Sequence, residues 1–168
     1  MTVHSAGILL YRLRRPPVDD AGAAPGVEVM IAHMGGPFWA SKDTAAWSIP
    51  KGEYDPDAES AAAAAVREFR EELGVDPPAG PAAELGTFPS SSGKRVTVFV
   101  ADGAGFTPPE DGFGVFEMEW PPRSGRTATF PEVDRAAWFA LEDAREKLVK
   151  GQRPVLDALL ERLREALD

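Results

Sequence analysis

Gly52-Glu53-Tyr54-Asp55-Pro56-Asp57-Ala58-Glu59, an alanine-rich spacer, and then Arg67-Glu68-Phe69-Arg70-Glu71-Glu72-Leu73-Gly74-Val75 form the stretch whose reading decides the fold. Asp55-Pro56-Asp57 offers a side-chain oxygen to free backbone N–H groups and a proline that loses no bond in a first helical turn. Gly74 offers a stop. Strong helix formers fill the interval, so the stretch predicts a helix from about Ala58 to Leu73. At roughly 100° per residue, Ala62, Val66, Phe69 and Leu73 share an apolar stripe while Glu68, Glu71 and Glu72 gather on another face.

Glu68 and Glu72 are one turn apart and Glu71 lies beside both, so three carboxylates repel one another. Two readings stand side by side. One is a solvated acidic face balanced by Arg67 and Arg70. The other is a set of hard oxygen donors gathered for Mg²⁺ or Mn²⁺, which take carboxylates, waters and phosphates as ligands. A calcium loop is excluded. Asp55-Pro56-Asp57-Ala58-Glu59 begins like one, but Ser60 stands where its turn glycine belongs and Val66 where its bidentate glutamate belongs.

Glu59, seven residues, then Arg67-Glu68-Phe69-Arg70-Glu71-Glu72-Leu73-Gly74-Val75 resembles the signature of the Nudix hydrolases, G-x5-E-x7-R-E-U-x-E-E-x-G-U with U bulky and apolar. Six fixed residues at background frequency match by chance on the order of once in 10⁵ chains of this length. The sequence departs from the pattern twice. Six residues, not five, separate Gly52 from Glu59, and Phe69 stands where an aliphatic residue is usual. The extra residue falls ahead of the helix, where it changes no helical register. Trp47-Ser48-Ile49-Pro50-Lys51-Gly52 in turn resembles the W-x-x-P-K-G run found before this signature in hydrolases of dinucleoside polyphosphates and related long phosphate chains.

Composition sets outer bounds. The 168 residues, 43% apolar, suit a single domain spanning 1–168 with its own core. A net charge of −9 argues against a nucleic-acid duplex or an anionic membrane as partner, since both demand basic surface. With no cysteine, disulfides and thiolate metal sites are excluded, and His4 and His33 are too few to suggest a histidine site. The apolar run Ala6–Tyr11 lacks the rest of a secretory signal, and no stretch approaches a membrane span. The expected location is the cytoplasm.

Outward from the central stretch, strands are expected at Val3–Arg14, Val27–His33, Glu84–Phe88, Lys94–Ala101, Val115–Trp120 and Asp134–Ala140. A last helix begins near Pro154 with a leucine stripe ending at Leu167, and loops rich in glycine and proline fill Pro16–Gly26 and Asp102–Gly114. Strands interleaved with substantial helices give an α/β or α+β layered class. The resemblance narrows it to the Nudix fold, a mixed sheet sandwiched between helices.

The resemblance also implies chemistry: a Mg²⁺-dependent hydrolase, Mn²⁺ being a possible substitute, that cleaves a phosphoanhydride bond in a nucleoside diphosphate derivative such as a dinucleoside polyphosphate or NTP. Glu68, Glu71, Glu72 and the Gly52 carbonyl would hold the metal, Arg67 would orient the carboxylates, and Lys51 would meet a phosphate unless it only caps its turn. One acid often comes from outside the signature. Glu119 is the candidate, with Glu117 its neighbour, unless both simply face solvent. Trp39, beside Phe38, is either loop packing or a stacking platform for a base, and Arg123 and Arg126 are candidate phosphate contacts. The alternative is a nucleotide-binding module of the same fold that does not turn over. Such modules usually lose part of the acidic set, and here all of it is present.

Overall fold

In the computed structural model, residues 2–16, 18–20, 26–90 and 93–168 are described. Parts of the expected Pro16–Gly26 and Ser90–Gly93 connections, and the Leu167 side chain, lie outside them.

β1 (Val3–Arg14) is the axis of a mixed seven-stranded sheet. One edge runs parallel to β6 (Lys94–Asp102) from Val3↔Lys94 to Tyr11↔Asp102. The other edge is divided. Leu10–Arg14 pairs antiparallel with β2 (Gly26–Met34), whereas His4–Gly7 pairs with β4 (Lys51–Tyr54). β2 has parted from β1 by Ala32 and His33, where its partner is β3 (Trp47–Ser48). The two long strands therefore splay, and residues 47–54 fill the gap between them as a wedge. β5 (Ala83–Pro89) flanks β6, and β9 (Val133–Ala140) flanks the far edge of β2. β7 (Val115–Glu119) and β8 (Thr127–Pro131) form a separate antiparallel hairpin.

Helices cover both faces. α1 (Ala61–Leu73) buries Ala64, Ala65, Phe69 and Leu73 against Ala6, Ile8, Leu10 and Met30. α2 (Leu141–Lys147) and α3 (Arg153–Leu167) pack Ala144, Leu148, Leu156 and Leu159 against Leu9, Val29, Ile31 and Val98. Fully burying a side chain such as Phe69 or Leu73 contributes about 1.5–3 kcal/mol. Coverage on both sides explains why Met30 and Ala32 on β2 are as buried as Val29 and Ile31, whose side chains point to the opposite face. Glu28, also on β2, is tolerated in this setting because Arg12 Nε donates to it at 2.8 Å.

The expected class, a mixed sheet between helices, is what the chain forms. Two local readings are corrected. α1 starts at Ala61, not Ala58, because Ser60 Oγ caps the Ala63 N–H at 3.1 Å while Asp55 serves a separate turn through the N–H groups of Asp57, Ala58 and Glu59. Ala62 is exposed, and the buried stripe passes through Ala65 instead. Phe69, unusual for its position, meets Phe106 edge to face at 5.9 Å. At the other end Gly74 adopts a left-handed conformation, φ 72°, and returns its N–H to the Arg70 carbonyl.

Candidate active site

The wedge carries Lys51 and Gly52 to the glutamate-bearing face of α1, and several bonds fix it there. Ile8 N–H donates to the Pro50 carbonyl, and Val149 N–H to that of Trp47. The Trp47 ring is fully buried, with its Nε1–H on Asp43 Oδ1 at 2.9 Å, so it serves the core rather than a ligand. Gln152, buried between α2 and α3, clamps the wedge from behind. Its Oε1 accepts from Ile49 N–H at 2.8 Å and its Nε2 donates to Ser48 Oγ at 2.9 Å. Replacing Gln152 by Leu strands the buried Ile49 N–H without an acceptor. The expected loss is about 1–3 kcal/mol in denaturant unfolding; an unchanged midpoint would show that the clamp does not hold the wedge.

The wedge meets α1 at Gly52. A Cβ on Gly52 would stand 1.9 Å from Glu68 Oε2, so the carboxylate occupies the space that any other residue would fill. This fixes the placement of Gly52 despite the extra residue before Glu59. Beside it, Lys51 N–H approaches Glu72 Oε2 at 3.3 Å.

Arg67 ties the acidic face together. Its guanidinium donates to Glu59 at 2.5 Å, to Glu68 at 2.7 Å and to Glu71 at 3.3 Å. These partners raise the guanidinium pKa further, Glu59 first. Glu59 lies ahead of the helix and so cannot be matched to Arg67 by helical spacing; the turn at Asp55 brings it back.

A fourth carboxylate joins from outside the helix, and it is Glu132, between β8 and β9. Gly114 N–H donates to the Glu72 carbonyl and Glu132 N–H to the Gly114 carbonyl, which fastens the base of the hairpin to the end of α1. A Cβ on Gly114 would stand 2.9 Å from Glu132 Oε2 and 2.4 Å from the Glu71 carbonyl. Glu119 sits elsewhere. It is exposed at the far end of β7, its Oε1 facing the Gly125 N–H, and five residues of strand separate it from Gly114, about 17 Å. Arg123 and Arg126 share that distant turn, so the structure does not bring any of the three to the glutamates. The sequence offered little to find Glu132, a lone acid at a break between strands.

Electrostatics mark this face as strained by its own charge. Burial pushes the Glu72 pKa from 4.5 up to about 8, against the pull of Lys51 and with a push from Glu132. Glu68 is raised, first by desolvation, despite Arg67. Desolvation and then Glu68 and Glu71 raise Glu132. Among the described residues no three acidic or histidine side chains converge into a preformed cage: Glu68 and Glu71 turn to Arg67 and Glu72 to the Lys51 N–H. The donor set nonetheless fits a hard divalent ion: Glu68, Glu72 and Glu132 have raised proton affinity, Glu71 stands beside them, and Glu68 fills the gap at Gly52.

Of the aromatic pair, Trp39 is half-buried against the α2–α3 core with Lys42 Nζ 5.1 Å from its ring, and Phe38 is exposed edge-on to Trp120 at 5.5 Å.

Residues 24–159 match the family model described as NUDIX domain. The fold is similar to that of a C. elegans Ap4A hydrolase binary complex, with TM-score 0.60 and 20% identity over 96% of this chain and 98% of that one. It is also similar to the NUDIX domain of Shewanella oneidensis NrtR complexed with ADP ribose, TM-score 0.57 and 15% identity over 97% and 89%. A third likeness is to the E. coli ORF135 protein, TM-score 0.53 and 22% identity over 98% and 92%. At these identities the likenesses show the fold alone. No curated protein sequence matches significantly.

Proposed function

The chain belongs to the Nudix family, and from that premise we propose that it is a Mg²⁺-dependent hydrolase of a phosphoanhydride bond in a nucleoside diphosphate derivative, with Mn²⁺ able to substitute. The observation that supports this most is the gathering of Glu68, Glu72 and Glu132 near enough to raise one another's proton affinity, with Glu68 filling the gap at Gly52 and Glu71 acting on Glu132. In this reading Glu68, Glu71, Glu72 and the Gly52 carbonyl hold the metal, and Glu132 replaces Glu119 as the acid from outside the helix. A bound divalent ion neutralises phosphate charge and lowers the pKa of a bound water. Arg67 keeps Glu68 and Glu71 in place, with Glu59 fixing Arg67. Glu132, solvent-accessible and of raised proton affinity, is positioned to accept the proton of the attacking water. The reading takes 1–168 as one cytoplasmic domain; among the described residues no helix is long and apolar enough to cross a membrane.

Binding without turnover is the second reading, supported by the likeness to a NUDIX domain complexed with ADP ribose. The complete acidic set favours hydrolysis. A product-release panel read by chromatography of the cleaved products, with Mg²⁺ or Mn²⁺ and covering dinucleoside polyphosphates, NTPs, ADP-ribose, NADH and diphosphoinositol phosphates, decides between them. No release from any of these leaves the binding reading standing.

Within that panel the expected preference is for long phosphate chains. Lys51 lies close enough to Glu72 to oppose the rise of its pKa, which sets its charge at the edge of the metal face where a phosphate would meet it. Lys51→Ala should lower kcat/KM for a dinucleoside polyphosphate by roughly 10-fold or more, the loss of one charge-assisted contact. ADP-ribose as best substrate, or an unchanged kcat/KM in the variant, would overturn the preference.

A further inference from the structure

A second, basic concavity opens where β2, β9, α2 and the loop before β3 meet. It has a volume of about 500 Å³ and is lined by His33, Lys42, Asp43, Asp134, Arg135 and Lys147, none of which belongs to the glutamate face. On a chain of net charge −9, three permanent cations around one hollow call for an account.

The two acids are already engaged. Asp43 accepts from Lys147 Nζ at 2.7 Å and from Trp47 Nε1 at 2.9 Å, contacts that hold its pKa below the usual carboxylate range. Asp134 Oδ1 lies 2.7 Å from His33 Nδ1. His33 Nε2 lies 2.6 Å from the Lys42 carbonyl, so both ring nitrogens face acceptors and both donate only in the imidazolium form.

Arg135 and Lys42, by contrast, have charge to spare. The Arg135 guanidinium lies 4.7 Å from the Trp47 ring centroid and Lys42 Nζ lies 5.1 Å from that of Trp39. Cation–π contact occupies a face of each group and leaves the N–H donors free. Among the described residues neither side chain makes a salt bridge or a hydrogen bond, although Arg135 is near enough to Asp43 to help lower its pKa. A planar guanidinium with in-plane donors beside an ammonium is the pairing that recognises phosphate oxygens, and the hollow is large enough for several phosphates.

We propose that this concavity is a phosphate-binding site, with Arg135 and Lys42 as the principal donors and the Asp43–Lys147 and His33–Asp134 pairs as its walls. The occupant is either the distal phosphate of an extended substrate or a free inorganic phosphate chain. The site exists independently of the hydrolytic reading.

The test is calorimetric titration of the intact protein with inorganic tripolyphosphate in EDTA, which removes divalent ions from the glutamate face. Saturable binding is expected, weakened at least tenfold, about 1.4 kcal/mol, by Arg135→Gln and by Lys42→Gln. Arg164→Gln, at an exposed cation that lines neither site, should leave it unchanged. Circular dichroism of each variant separates lost binding from lost folding, and both cations are exposed, so the fold should survive. No binding by the wild type, or binding that Lys51→Ala removes and Arg135→Gln does not, would overturn the proposal. A kinetic arm distinguishes the sources. A distal substrate phosphate makes Arg135→Gln raise KM for long chains at constant kcat, with tripolyphosphate competitive. A free anion leaves the variant's KM as in the wild type and makes tripolyphosphate change wild-type kcat alone.

Discussion

Glu72→Gln, and Glu71→Gln separately, should each lower kcat at least ~100-fold, about 2.7 kcal/mol of transition-state stabilisation. The amide keeps the size of the side chain and removes the charge proposed to hold the metal. The fold should not suffer, and for Glu72 the metal-free protein supplies its own control. Burial lifts the folded-state pKa from 4.5 to about 8, so the folded chain holds a proton there that the unfolded chain has lost. Stability from this group is complete below about pH 4.5 and fades as pH rises to about 8. Glu72→Gln should flatten that fall and be at least as stable as wild type at pH 8 without metal. A variant that unfolds while its folded fraction keeps the wild-type rate would show that Glu72 is structural.

Gly52→Ala is expected to be nearly as damaging to turnover. The new Cβ would overlap the Glu68 carboxylate, with 1.9 Å to Oε2 and 2.0 Å to Cδ. What it strikes is the end of a flexible side chain, so Glu68 swings away while the backbone stays. The melting temperature should move by only a few degrees, and kcat/KM should fall on the order of 100-fold, as for losing a metal-binding carboxylate. Wild-type turnover would mean that Glu68 works from another position or not at all.

The fold was legible wherever a pattern was local. The helix expected from about Ala58 to Leu73 on its formers and its stop forms as Ala61–Leu73, and β1, β2 and β6 read as strands from apolar runs. What escaped the reading depends on tertiary placement. Trp47–Tyr54 is too short and too rich in proline and glycine to announce two strands, because its pairing partners are the edges that β1 and β2 leave open as they splay. Helical geometry placed Glu68, Glu71 and Glu72 on one face, yet the same geometry is silent on Glu132, which arrives from 60 residues beyond Glu72 through the Gly114 bridge. Glu119 had strand alternation in its favour, and alternation tells which way a side chain points without telling where its strand lies. Gln152, whose two bonds hold the wedge, sits in a turn with no periodicity to mark it.

Chelation tests the central claim most directly. On the best substrate of the panel, EDTA should abolish product release, and Mg²⁺ or Mn²⁺ added in excess should restore it; full turnover in the presence of chelator would contradict a metal-bearing glutamate face.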